Sequence, residues 1–117
     1  WGSILGEPGV IDMGEHLLSL SGADHNAEQA ARGATQYGLF CSSCHTPAGT
    51  GMQALGAPNL SDSIWLYQQQ DLTLAENIRH SIRSGRNGNM PSHSDKLRPE
   101  KIHLLTAYVY SLSQNQQ

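Results

Sequence analysis

The sequence predicts an all-α fold, and three observations support this class. Apolar residues recur at helical spacing in several segments, no segment shows the period-two alternation of a strand, and the intervening stretches are rich in Gly and Pro. With 117 residues, the chain has room for one domain and at most a short additional segment. We therefore expect helices packed around one modest core.

The first helix of this domain is expected over residues 24–40. Asn26 with Gln29 three residues later resembles a capping box, and small and aromatic residues form an apolar stripe behind it. Gly33 lies inside the helix, where glycine costs about 1 kcal/mol relative to alanine, so a packing reason is expected. A second, short helix is expected over residues 61–69.

Two further helices follow. Residues 73–84 begin with the capping box Thr73 and Glu76, and a glycine is placed to end the helix. Residues 99–113 form the last predicted helix, with Pro99 in its first turn. Its expected buried stripe consists of Ile102, Leu105, Val109 and Leu112.

An internal repeat relates the two ends of the chain. Residues 5–21 align with residues 97–113 at an offset of 92, and the apolar phase is kept. The matched pairs are Leu5 with Leu97, Val10 with Ile102, Met13 with Leu105, and Leu17 with Val109. The first 22 residues are therefore interpreted as the last helix of a preceding domain, and the chain as a processed protein or a fragment.

Composition excludes several classes of function. The formal net charge is −3, whereas a nucleic-acid binder normally shows a basic patch. No stretch approaches the roughly 18 consecutive apolar residues of a membrane-spanning helix. We therefore expect no nucleic-acid partner and no membrane contact by these residues.

Both cysteines of the chain lie in one motif. Cys41, Cys44 and His45 spell C-x-x-C-H, the pattern of covalent attachment of c-type haem. The two thiols add to the two vinyl groups at one haem edge, and the two intervening residues set their separation. The adjacent imidazole is then held where it can bind iron.

Two alternatives to haem remain open from the motif alone. A redox disulfide in a C-x-x-C motif is expected near a βαβ pattern, and none is predicted here. A structural zinc site needs four ligands, usually from paired clusters, but no second cysteine pair exists. The motif therefore favours haem attachment over both.

A second axial ligand of the iron is expected downstream of the motif. Met13 lies in an apolar stripe where Met is usually part of a core, and Met52 follows His45 by only seven residues. Met90 lies in a Gly- and Asn-rich loop and is followed by a proline, which makes it the favoured thioether ligand. His93 is the competing candidate.

Taken together, residues 24–113 resemble the class I cytochromes c. The resemblance includes the helix before the motif, CSSCH itself, and the closing LLTAYVYSLS. The stretches LGAPNLSDSIWLY (55–67) and GRNGNMPSH (85–93) are more similar to the second haem domain of the diheme subunit of cbb-type cytochrome c oxidases.

The resemblance implies roles for individual residues. The carbonyl of Pro58 would accept a hydrogen bond from the ring N–H of His45, and Trp65 and Arg86 would contact the haem propionates. One covalently attached haem c is implied. The full set of implied cofactor-binding residues is Cys41, Cys44, His45, Pro58, Trp65, Arg86 and Met90, with His45 and Met90 binding the iron.

It also implies how the helices pack and how the chain divides. Gly33 would let the first helix of the domain cross the closing helix, with Tyr37 and Tyr108 at the crossing. Residues 1–22 would be the remnant C-terminal helix of a preceding haem domain plus a linker. Residues 23–117 would form the cytochrome c haem domain.

The function that the resemblance implies is single-electron transfer rather than catalysis by this domain. The expected partners are other haem domains or oxidase subunits and a soluble electron-donor cytochrome. The expected location is the periplasmic side of the bacterial inner membrane, with the parent protein membrane-anchored. The alternative is a haem protein with a displaceable Met that acts as a gas sensor or a peroxidase-like enzyme.

Overall fold

The computed structural model describes residues 1–88 and 90–114, apart from the side chain of Ser113. This part of the chain contains helices but no strand; one isolated bridge joins Met52 and Ala57. The all-α class is therefore confirmed. None of the helices in the described ranges combines the length and apolar character needed to cross a bilayer. The helices are α1 Gly2–Leu20, α2 Ala27–Phe40, α3 Ser42–His45, α4 Leu74–Ser84 and α5 Pro99–Gln114, with a 3₁₀ turn at Gln53–Leu55.

The chain divides into two compact units, Trp1–Arg86 and Asn87–Gln117. The described part of the second unit consists of a loop and α5. In this unit taken by itself, Leu105, Val109 and Leu112 are 49%, 62% and 46% exposed, and the expected burial of the α5 stripe stays a prediction. A lone amphipathic helix cannot bury its stripe by itself, and the described part of this unit contains no second helix.

The core lies in the first unit, where α1 packs against both α2 and α4. α1 is kinked at Gly6, which has a φ of 66°, two residues before Pro8. After the kink, its apolar stripe enters the core. The buried apolar residues of the unit are Val10, Met13, Leu17, Leu18, Ala30, Tyr37 and Ile78.

The closest approach between helices occurs at Gly33 of α2. A Cβ atom at this position would lie 2.0 Å from the carbonyl oxygen of Asp12 in α1. The ring of His16 lies 5.0 Å from the ring of Tyr37 at the same crossing. The structure thus places α1 at this glycine, where the resemblance implied the closing helix. His16 is the residue that the repeat aligns with Tyr108.

Ion pairs of two largely buried carboxylates with more exposed arginines fix the position of α1. The carboxylate of Asp12 accepts two hydrogen bonds of 2.8 Å from Arg32 of α2. Glu15 accepts from Arg79 of α4 at 2.7 Å and from the backbone N–H of Asn26 at 2.7 Å. Both carboxylates are largely buried, so a shift of α1 along its neighbours would leave a charge without its partner.

The capping box predicted at Thr73 and Glu76 is confirmed, whereas Asn26 caps α2 with one of the two expected bonds and the helix begins at Ala27 rather than at residue 24. The side chain of Asn26 accepts a hydrogen bond from the backbone N–H of Gln29 at 3.0 Å. Thr73 and Glu76 form the complete capping box at the start of α4. These caps satisfy backbone donors that the first turn of a helix leaves without partners.

The short helix expected over residues 61–69 is wrong, because the segment forms bends. Asn59 accepts hydrogen bonds from the backbone N–H and the hydroxyl of Ser61. Asp62 accepts from the backbone N–H of Ile64 at 2.9 Å. Such local side-chain bonds to the backbone compete with helix formation.

The crossing at Gly33 yields a matched pair of variants. Gly33→Ala should lower the free energy of unfolding by about 1–3 kcal/mol, because its methyl group meets the backbone of α1. Gly38→Ala, in the same helix with no atom within 4 Å of the added Cβ, should raise it by about 0.5–1 kcal/mol. Denaturant unfolding of both variants checks this, and equal effects would contradict the close crossing.

Candidate cofactor site

A cavity of about 510 Å³ opens in the first unit between α1, the end of α2, the segment 58–67 and α4. Its size is typical of sites for small molecules and cofactors. Most of its walls are apolar and come from elements distant in sequence. The apolar lining residues include Leu5, Met13 and Leu17 of α1, Leu60, Ile64 and Trp65 of the loop, and Leu74, Ile78 and Ile82 of α4.

The C-x-x-C-H motif lies at the edge of this cavity. α2 ends at Phe40, and a single helical turn follows in which the N–H groups of Cys44 and His45 bond to the carbonyl of Cys41. Cys41, Cys44 and His45 all line the cavity. This helical turn therefore places two thiols and one imidazole in the wall of the same cavity.

No disulfide joins the two cysteines; Cys41 is half-buried and Cys44 is exposed. Burial raises the pKa of the Cys41 thiol, and the neighbouring Cys44 raises it further. The described residues contain no group of three His, Cys, Asp or Glu side chains placed to hold a metal ion. The zinc alternative therefore gains no support from this part of the chain.

The loop after the motif orients the imidazole of His45. Nδ1 of His45 lies 2.9 Å from the carbonyl oxygen of Pro58. When Nδ1–H donates to this carbonyl, the lone pair of Nε2 remains available for a metal. Gly51 makes the required turn: its φ is 77°, and an added Cβ would lie 2.5 Å from the carbonyl oxygen of Ala57.

Tyr37 holds the backbone that follows His45. Its ring is buried and its hydroxyl donates to the carbonyl of Thr46 at 2.8 Å. Thr46 has a φ of 66°, in the left-handed region that non-glycine residues rarely adopt. The hydroxyls of Thr46 and Thr50 lie 2.8 Å apart and close this turn. Sequence reasoning placed Tyr37 only at the helix crossing, although a buried tyrosine hydroxyl usually has a partner.

Trp65 and Arg86 both line the cavity and are half-buried. Trp65 also packs against the hydrophobic core. The guanidinium of Arg86 donates to the hydroxyl of Ser81 at 2.9 Å and to the carbonyl of Asn77 at 3.2 Å. It lies 5.6 Å from the centre of the Tyr67 ring. A cation is thereby fixed at the rim of an otherwise apolar cavity.

Asn77 is a residue that sequence reasoning missed. It is 3% exposed, accepts a hydrogen bond from the N–H of Gln69, and donates to the carbonyls of Gln69, Leu72 and Thr73. These four bonds attach the segment before α4 to that helix. The sequence feature that could have indicated Asn77 is its position as a polar residue next to the apolar stripe of α4.

Six of the expected site residues thus line one cavity: Cys41, Cys44, His45, Pro58, Trp65 and Arg86. Met90 belongs to the second unit, where its side chain is 88% exposed. His93 belongs to that unit as well, and Asn89 lies outside the described residues. The role of Met90 as an iron ligand therefore stays a prediction.

The donors present fit a haem. Two thiols stand one helical turn apart beside an imidazole whose Nδ1 faces a carbonyl, and the walls are apolar. These groups can hold a covalently attached haem, and the cation of Arg86 in the lining can pair with its carboxylates.

Comparisons with known proteins agree with this chemistry. The model of a family described as "Cytochrome C oxidase, cbb3-type, subunit III" matches residues 28–109. The chain is 43% identical to the cbb3-type cytochrome c oxidase subunit CcoP of Rubrivivax gelatinosus, over 90% of this chain and 33% of the relative. It is 38% identical to the cbb3-type cytochrome c oxidase subunit FixP of Azorhizobium caulinodans, over 99% of this chain and 39% of the relative.

The chain spans between a third and two fifths of the length of these two relatives. The family model covers more than half of the chain and includes the C-x-x-C-H motif. The resemblance to the class I cytochromes c is confirmed, and the chain belongs to the family of cbb3-type cytochrome c oxidase subunit III.

Proposed function

We propose that residues 23–117 transfer single electrons through one haem c, bound covalently to Cys41 and Cys44 and ligated by His45 and Met90. The observation that carries the proposal is the shared cavity of the two thiols and His45, with Nδ1 of His45 at the carbonyl of Pro58. Family membership supports the same function.

In this proposal, the haem supplies an iron that alternates between Fe(II) and Fe(III). Cys41 and Cys44 attach the ring, so that His45 becomes a ligand with a high effective concentration. The carbonyl of Pro58 holds the imidazole in one tautomer and orientation. A thioether ligand from Met90 would favour the reduced state and raise the reduction potential.

The cavity walls contribute by excluding water. The side chains of Met13, Leu17 and Ile78 are almost fully buried and line the space. A dry site with fixed ligands changes little when the charge of the iron changes, so each electron transfer requires little reorganisation. Trp65 and Arg86, at the rim, would contact the haem propionates.

Within a larger assembly, this domain would relay electrons from a soluble donor cytochrome or a neighbouring haem domain toward a cbb-type oxidase. The relatives are named as subunits of such oxidases, which supports the oxidase as a partner. The domain itself would not reduce oxygen. We place it on the periplasmic side of the bacterial inner membrane, in a parent protein that is membrane-anchored.

Residues 1–22 are proposed to be the end of a preceding haem domain. The repeat supports this division. In the structure, Val10, Met13 and Leu17 of α1 are buried in the same compact unit as α2 and α4, so the division rests on the repeat alone. A haem count on the natural gene product tests it. Two haems per chain are expected, and one would contradict the division.

Haem attachment is tested by replacing both thiols. Cys41→Ala combined with Cys44→Ala should abolish covalent attachment, because no other cysteine exists in the chain. Intact mass and a pyridine haemochrome spectrum measure it, with Ser42→Ala and Ser43→Ala as controls inside the motif. If the unsubstituted protein carries no haem mass after expression with the c-type haem attachment machinery, the proposed function is wrong.

The second axial ligand is tested by comparing Met90→Ala with His93→Ala. The Met90 variant should keep its haem but bind carbon monoxide in the reduced state, because the iron loses one ligand. The His93 variant should behave as the unsubstituted protein. Carbon monoxide binding by the unsubstituted protein would instead favour a sensor or peroxidase-like function.

A further inference from the structure

Arg86 has no carboxylate partner among the described residues. The other arginines of the first unit each pair with a carboxylate: Arg32 with Asp12, Arg79 with Glu15, and Arg83 with Glu7. The partners of Arg86 are a hydroxyl, a carbonyl and an aromatic ring, all of which leave its charge uncompensated. A half-buried cation at a cavity rim is suited to bind an anionic group of a ligand.

Ser81 is built to accept from this guanidinium. Its hydroxyl donates to the carbonyl of Asn77, one turn earlier in α4, at 2.9 Å. Because the proton is committed to that carbonyl, a lone pair of Oγ is left for Nε of Arg86, which lies 2.9 Å away. The same carbonyl of Asn77 accepts from Nη2 of Arg86. Ser81 and Asn77 therefore bind the same Nε–Nη2 edge of one planar group.

The third contact restricts the remaining motion. The guanidinium carbon lies 5.6 Å from the ring centre of Tyr67, within the range of a cation–π interaction. The segment 69–73 that follows Tyr67 is attached to α4 through the amide of Asn77. The ring of Tyr67 and the hydroxyl of Ser81 thus contact Arg86 from two different chain segments. Asn77 connects these two segments.

We propose that Ser81 is a positioning residue that fixes the guanidinium of Arg86 at the cavity rim, where it faces the carboxylates of the bound haem. This inference rests on the proposed function, since it requires the haem. Ser81 itself touches neither iron nor carboxylate in this role and acts through Arg86.

The expected effect on the iron follows from the signs of the charges. A carboxylate near the haem stabilises Fe(III), and a fixed guanidinium offsets that effect. If Ser81 is lost, Arg86 spends part of its time away from the carboxylate, and the reduction potential falls. Removal of the guanidinium charge should lower the potential further.

The test is a double-mutant cycle on the haem-loaded protein. Ser81→Ala should shift the equilibrium constant for reduction by about two- to fivefold toward Fe(III), the size of one net hydrogen bond. At 59 mV per tenfold for one electron, this corresponds to roughly 20–40 mV of lower potential. In an Arg86→Gln background, the same substitution should have no further effect. Ser81→Thr, which keeps the hydroxyl, should restore the potential.

Ser84→Ala, at an exposed position of the same helix, is the matched control. Haem content and the melting temperature are measured on every variant. The inference would be overturned by an unchanged reduction potential in Ser81→Ala, or by an equal decrease with and without Arg86. If haem is attached in these experiments, the proposed function still stands. Absence of haem from the unsubstituted protein would instead overturn both.

Discussion

The contact between the backbones of α1 and α2 at Gly33 is the constraint on which the first unit depends. With only a hydrogen atom on Gly33, the carbonyl of Asp12 reaches a position that any side chain would occupy. At this separation the stripe of α1 reaches the core, and the carboxylate of Asp12 meets Arg32. These contacts prevent α2 from sliding along its own axis relative to α1.

From this crossing, α2 runs toward the thiols. Tyr37 lies one turn after Gly33, contacts His16 of α1 and binds the carbonyl of Thr46 beyond the motif. Tyr37 thus takes part both in the packing of α1 against α2 and in holding the loop that orients His45. A change at the crossing would be transmitted to the loop that holds the imidazole through a buried ring and one hydrogen bond.

Local signals were sufficient for much of the structure. The caps at Asn26 and Thr73 use side chains three residues from their partners, so the sequence alone shows them. The same holds for C-x-x-C-H, whose spacing places both thiols in one helical turn. The prediction of a helix over residues 61–69 was wrong because Asn59 and Asp62 accept local hydrogen bonds from the backbone. The spacing of apolar residues does not indicate such bonds.

Long-range choices were not predictable from the sequence. The repeat gives two helices with the same apolar phase, and local pattern does not decide which of them crosses Gly33. One contact that determines which helix crosses there is the hydrogen bond from Arg79 to Glu15, which are 64 residues apart in sequence. Of the second unit, the sequence predicted α5 from its apolar periodicity and from Pro99 in its first turn.

The unequal surroundings of the two thiols imply an order of chemical events in the haem-free chain. Cys44 is exposed, whereas Cys41 is half-buried and its burial raises the pKa of the thiol. Thiolate is the reactive form of cysteine, so an alkylating or oxidising reagent should reach Cys44 first.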